Sequence, residues 1–125
     1  MSSRYRLLIV DDDQDVLRDL ALMLSLEGHY VMTATSGIAA SVLLTEHEFD
    51  VVITDLRMPI MDGFEIVRRT KNLHPQAGII VTSRYLDDKT RAWIDDSGIR
   101  GLEKPYNIHQ ISAMLNEFQT HRPTP

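Results

Sequence analysis

The run Leu8-Ile9-Val10-Asp11-Asp12-Asp13 drives three apolar residues straight into three aspartates. Two carboxylates about 4 Å apart oppose each other by roughly 4 kcal/mol at a protein-surface dielectric of about 20. Such a cluster calls for a partner that takes up the charge. Asp55 ends another apolar run, Val51-Val52-Ile53-Thr54, while Thr82-Ser83 and Lys104 each follow further apolar segments. Carboxylates with no histidine or cysteine beside them suit a hard divalent cation such as Mg²⁺, which takes oxygen ligands, keeps several waters and shares phosphate oxygens. A lysine supplies a point charge for a phosphate, and a threonine hydroxyl can donate to another phosphate oxygen. An aspartate can itself be the nucleophile and form an acyl phosphate, with the metal and the lysine offsetting the developing charge. The residue types describe phosphoryl chemistry on an aspartate and leave open which one.

The elements that must position these groups alternate. Leu7–Val10 is a continuous apolar run, the pattern of a strand covered on both faces. Val16, Leu17, Leu20, Met23 and Leu24 recur at helical spacing, with Gly28 placed to end the helix. Tyr30–Thr35 is rich in β formers, and Ser36 can cap a helix through Ile38, Val42 and Leu43. Val51–Thr54 reads as a strand; Pro59 and Asp62-Gly63 mark a loop; Phe64, Ile66, Val67 and Thr70 continue as a helix that His74-Pro75 stops. Ile79–Val81 is a strand, Asp88–Asp96 a helix, Leu102-Glu103 a short strand, and Ile108, Ile111, Leu115 and Phe118 a last helix. Five strands alternating with five helices predict a doubly wound α/β fold, a five-stranded parallel sheet with helices on both faces. All strands of such a sheet finish at one edge, where ligands bind. If the first and third strands are neighbours, Asp11, Asp12 and Asp55 converge there.

The bulk composition excludes several classes. The 125 residues are the size of one domain, and 43 % apolar with 25 % charged is ordinary for a globular chain. Absence of cysteine rules out disulfides, thiolate catalysis and cysteine-held zinc, and fits a reducing compartment. A net charge of −5 argues against direct nucleic-acid binding, and Arg68-Arg69-Thr70-Lys71 reads as a solvated helix face. No run is long enough for a membrane span, and the basic start is too short for a signal peptide. A cytoplasmic domain is expected, with residues 121–125 a disordered tail or the start of a linker.

Four motifs now stand in order at strand ends: IVDDD at 9–13, VVITDLRMPIMDG at 51–63, IIVTS at 79–83 and EKPY at 103–106. Over residues 4–120 the chain resembles the receiver domain of two-component response regulators. The resemblance implies a flavodoxin-like (βα)₅ fold with strand order 2-1-3-4-5. It implies that Asp55 accepts a phosphoryl group from a sensor histidine kinase or a histidine phosphotransfer protein. Asp11 and Asp12 would bind Mg²⁺, Asp12 more directly, together with Asp55 and the main-chain carbonyl of Arg57. Thr82 would contact the phosphoryl group and shift when it arrives. Lys104 would pair with its oxygens, across a cis bond to Pro105. Asp13 would be a bystander, and Arg57 and Arg84 would tune the phosphoryl lifetime. The domain would catalyse only its own phosphorylation and dephosphorylation, and a downstream partner or output domain would read the favoured conformation.

The sequence also departs from that pattern. Gly101 stands where many receivers carry a switch aromatic, and the run from Gly98 to Lys104 is one residue short. Tyr106 reads as structural, and Met23, Met58, Met61 and Met114 as packing or loop fillers. Trp93 falls on the fourth helix, whose face commonly binds partners in receivers and could support a homodimer. Two other readings stay open. One is an aspartate-nucleophile phosphatase of haloacid dehalogenase type, with Asp11 as nucleophile and Asp13 as acid/base. The other is a receiver-shaped binding module that is never phosphorylated.

Overall fold

The apolar runs become strands because both of their faces are covered. The computed structural model describes residues 4–121, with side chains as far as Phe118. Its strands are β1 (Arg6–Val10), β2 (Tyr30–Ala34), β3 (Val51–Asp55), β4 (Gly78–Ser83) and β5 (Arg100–Glu103). They alternate with helices α1 (Gln14–Leu26), α2 (Gly37–Glu46), α3 (Gly63–Leu73), α4 (Asp88–Ser97) and α5 (Ile108–His121). All strands are parallel, in the order β2-β1-β3-β4-β5. This is the doubly wound α/β fold and the strand order that the sequence leads one to expect. Of the expected tail, His121 closes α5 and 122–125 lie outside the described residues.

Alternation along β1 sends its side chains to two layers. Leu7 and Ile9 pack with Leu17, Leu20 and Leu24 of α1 and with Ile111 and Leu115 of α5. Leu8 and Val10 pack with Ala40 and Leu44 of α2 and Ile66 of α3. Ile79 and Val81 of β4 meet Val67 of α3 and Ile94 of α4 on the same side as α2. Each fully buried aliphatic side chain contributes about 1.5–3 kcal/mol relative to exposure. These layers therefore fix the height of every strand end.

Capping explains where the helices begin. Asp13, Ser36, Asp62 and Asp87 each accept a backbone N–H of the first turn of α1, α2, α3 and α4, satisfying donors with no partner inside the helix. Gly98, at φ +69, takes the left-handed position that ends α4. The strand ends differ in detail from the sequence reading. β4 ends at Thr82-Ser83 as read but begins one residue earlier, at Gly78, and β5 begins two residues earlier than expected. Among the described residues, no helix is long and apolar enough to cross a membrane.

Candidate functional site

β1 and β3 are neighbours, and their register pairs Val10 with Thr54. Asp11 and Asp55 therefore leave the sheet side by side. Ligand oxygens of Asp11, Asp12 and Asp55 all lie within 4.8 Å of one another. Asp11 and Asp55 are buried, at 3 % and 7 % exposure, while Asp12 is exposed. An all-oxygen set of this spread fits a hard divalent cation.

Lys104 reaches the same point from the end of β5. Its Nζ donates to Asp11 Oδ2 at 3.0 Å and to Asp55 Oδ2 at 3.3 Å. Its backbone N–H is anchored on the Ser83 carbonyl at 2.7 Å, and the peptide bond to Pro105 is cis, as the resemblance implies. The second oxygen of Asp11 accepts the Asp13 N–H at 2.9 Å. Burial pushes the Asp55 carboxyl above the ordinary aspartate range. The charge of Asp11 adds to this, while Lys104 and the Arg57 N–H pull the other way. Burial works against the Lys104 ammonium, but the two carboxylates outweigh it and hold its pKa above the usual lysine value.

The carboxylates open into a cavity of about 470 Å³, lined by Asp11, Asp12, Asp13, Asp55, Arg57 and Lys104 and by Val16, Ser83, Arg84 and Tyr85. Thr82 pairs in register with Asp55 and so shares its face of the sheet. It is nonetheless buried at 2 % and is not part of the cavity lining; Ser83, Arg84 and Tyr85 are. The sequence places Ser83 beside Thr82 at the strand end without giving it a part in the site, and it does not single out Tyr85, three residues past Thr82. Arg57 is exposed, and its guanidinium carbon stands 5.8 Å from the centre of the Phe64 ring, drawn over α3.

Asp13 is not idle. Its Oδ1 accepts the N–H groups of Asp15 at 3.0 Å and Val16 at 3.3 Å, which commits it to capping α1. That leaves it poorly placed for the acid/base part in a phosphatase. Gly101 also has a packing reason. A Cβ there would stand 2.6 Å from Ile94 Cδ1, so the isoleucine of α4 occupies the space over β5. Trp93 lies against Phe64 at 4.7 Å between ring centres and packs with the core under α3 and α4. Its ring is thus turned toward α3. Tyr106, Met58, Met61 and Met114 pack against the core as expected, whereas Met23 is exposed at 42 %.

Comparison with known proteins places this geometry. Residues 7–116 match the family described as the response regulator receiver domain. The heme response regulator HssR of Staphylococcus aureus is 36 % identical over 115 residues, covering 89 % of this chain and 51 % of that protein. The virulence sensor protein BvgS of Bordetella pertussis is 36 % identical over 124 residues, 90 % of this chain but 10 % of its own length. The chain thus spans about half the length of the response regulators it matches. A response regulator of Burkholderia pseudomallei, solved with a phosphorylated aspartic acid and a calcium ion, superposes with a TM-score of 0.81 at 25 % identity, covering 94 % of this chain and 72 % of that one. The chain belongs to the receiver domains of two-component response regulators, the phosphoacceptor switches of that signalling system.

Proposed function

We propose that Asp55 is the phosphoacceptor and that a phosphohistidine on a sensor kinase or phosphotransfer protein is the donor. The observation that carries this reading is the pair of contacts from Lys104 to Asp11 and Asp55 at 3.0 and 3.3 Å. It puts one half-buried cation beside the carboxylate that ends β3. Asp55 Oδ attacks phosphorus; the O–P bond forms as the N–P bond breaks, and the electron pair returns to the imidazole. Lys104 trades its carboxylate contact for the new phosphoryl oxygens, so its charge is in place before the transfer. Thr82, in register with Asp55, would donate its hydroxyl after a shift out of its buried position. Asp11, Asp12, Asp55 and the Arg57 carbonyl would hold Mg²⁺, which when bound neutralises the acidic cluster and the phosphoryl charge.

The chain would act enzymatically only on itself, by slow hydrolysis of the acyl phosphate. Phosphorylation would bias an existing equilibrium that a downstream partner or output domain reads. The relative solved with a phosphorylated aspartic acid and calcium supports the same chemistry here. The test is intact-protein mass spectrometry after incubation with acetyl phosphate and Mg²⁺, for the native chain beside Asp55→Asn and Asp11→Asn. A single phosphoryl adduct on the native chain that is missing from Asp55→Asn is expected. An adduct that survives Asp55→Asn and vanishes in Asp11→Asn would transfer the role to Asp11. With no adduct on any chain, beryllofluoride separates fast hydrolysis from an inert scaffold: a stabilised native chain means the former.

A further inference from the structure

Two hydroxyl residues close β4, and they stand differently toward the cavity over Asp55. Thr82 pairs in register with Asp55, is 2 % exposed and has no place in the cavity lining. Ser83 stands one step further on, past the last residue that β4 pairs with β3. It is 3 % exposed, yet it lines the cavity together with Asp55 and Lys104.

Main-chain bonds seat Ser83 there from both sides. The N–H of Leu56, the residue after Asp55, donates to the Thr82 carbonyl at 2.9 Å. The Lys104 N–H donates to the carbonyl of Ser83 itself at 2.7 Å. Ser83 is thus held between the chain segments that carry Asp55 and Lys104. Its hydroxyl, by contrast, is loosely held. Oγ donates to the Tyr85 carbonyl at 3.2 Å, beyond the range of about 2.5–3.0 Å usual for an O–H···O bond. Rotation about the Cα–Cβ bond frees it, with no movement of the strand.

The other donors on the lining are already committed or stand toward solvent. Lys104 divides its ammonium between Asp11 and Asp55, and the Arg57 guanidinium lies over Phe64. Arg84 is exposed, and Tyr85 is 71 % exposed. A phosphoryl group on Asp55 brings three non-bridging oxygens into this pocket, and a buried acceptor left without a donor is costly. Lys104 and a bound metal would serve two of them. From this geometry, and resting on Asp55 as the phosphoacceptor, we infer that Ser83 donates its hydroxyl to the third. The bond needs no rearrangement of the backbone, so it is made as the O–P bond forms. Thr82 must leave its buried position to reach the group and so follows. Ser83 serves the transfer itself, Thr82 the change of shape that comes after it.

Fluorine NMR of beryllofluoride, in which three fluorines replace the phosphoryl oxygens, tests this on the chain with Mg²⁺. A fluorine that accepts an exchangeable hydrogen changes its shift between H₂O and D₂O. In Ser83→Ala one fluorine should lose that change while the other two keep theirs. Thr82→Val should leave that same fluorine as it is in the native chain. Phosphorylation by acetyl phosphate, followed by intact mass, should slow about tenfold in Ser83→Ala, the worth of one hydrogen bond to a charged group. Far-ultraviolet circular dichroism establishes that each variant is folded. Three fluorines unchanged in Ser83→Ala overturn the inference, as does a loss seen only in Thr82→Val. Asp55 keeps its role in both cases, provided that Asp55→Asn binds no beryllofluoride. A native chain that binds none and takes no phosphoryl group overturns the reading of Asp55, and this inference with it.

Discussion

Lys104 Nζ stands 3.3 Å from Asp55 Oδ2 although 49 positions separate the two residues. The contact exists because β3 and β5 flank β4 and end at one level. It gives the buried carboxylate a cation, but a shared one, since the same ammonium donates to Asp11 at 3.0 Å. One lysine against two buried carboxylates leaves these three side chains net negative. The stability of the domain is therefore tied to the charge state of its own site.

That tie has a pH signature at Asp55. Burial, and after it the charge of Asp11, raise this carboxyl above its ordinary pKa. A carboxyl whose folded pKa exceeds its unfolded value favours folding when protonated. The contribution is complete below the unfolded value of about 3.9 and is lost as pH rises through the folded one. At neutral pH the ionised Asp55 is thus a burden that the neutral Asp55→Asn variant does not carry. Without divalent cations, Asp55→Asn should melt above the native chain at neutral pH, and the gap should close as pH falls toward about 4. Calorimetric melts across that range check it; a gap that widens on acidification counts against the account.

Mg²⁺ should relieve the same burden. At about 100 times its Kd a ligand that binds only the folded chain adds roughly 2.7 kcal/mol, so the melting temperature should climb with Mg²⁺. Asp12 is the exposed member of the trio and reaches the cluster within 4.8 Å. Asp12→Ala should abolish most of the Mg²⁺-dependent gain while raising the metal-free melting temperature. If Mg²⁺ stabilises the variant as much as the native chain, Asp12 is not a ligand.

Much of this was legible in the sequence because strand ends and chemistry coincide. β1 and β3 read as continuous apolar runs, and Asp11 and Asp55, which stop them, reach the site; β4 reads the same way, but Thr82, which stops its run, is buried outside the cavity lining. Arg100 and Gly101 do not resemble a strand in sequence; they form one by pairing with Ile80 and Val81. Asp13 reads as a bystander in the sequence, since nothing in an aspartate triplet tells which carboxylate turns back to cap the helix. The packing of Ile94 over Gly101 depends on a contact between α4 and β5 that no local pattern encodes. Nor does position at a strand end say whether Thr82 or Ser83 faces the cavity.

Gly63 ties the loop after Asp55 to α3. A Cβ there would stand 2.2 Å from the Asp55 carbonyl oxygen and 2.7 Å from Leu56 Cα. Both are backbone atoms, so no rotamer change can make room. The Gly63 N–H also donates to the Leu56 carbonyl at 3.0 Å. Gly63→Ala should cost about 3 kcal/mol and slow phosphorylation by acetyl phosphate, because the backbone that must move carries Asp55. Urea unfolding measures the first effect; a change within error would show that the loop gives way freely.

Arg57 and Arg84 both line the cavity, but they are not equivalent. The Arg57 guanidinium lies over Phe64, 5.8 Å from the ring centre, where a cation is held by the face of the aromatic. Arg84 is exposed at the mouth, and it also borders the neighbouring apolar hollow formed by Leu20, Pro105, Tyr106 and Ile108. A guanidinium there can pair with a phosphoryl group on Asp55 and stand in the path of attacking water. An exposed pair contributes up to about 1 kcal/mol, or roughly fivefold in a rate. Arg84→Ala should therefore shorten the lifetime of the phosphorylated form by up to that factor, and Arg57→Ala should shorten it less. The check is the decay of the phosphorylated band on a phosphate-affinity gel after the donor is removed. Equal lifetimes for the native chain and Arg84→Ala would mean that water reaches the acyl phosphate by a route this side chain does not guard.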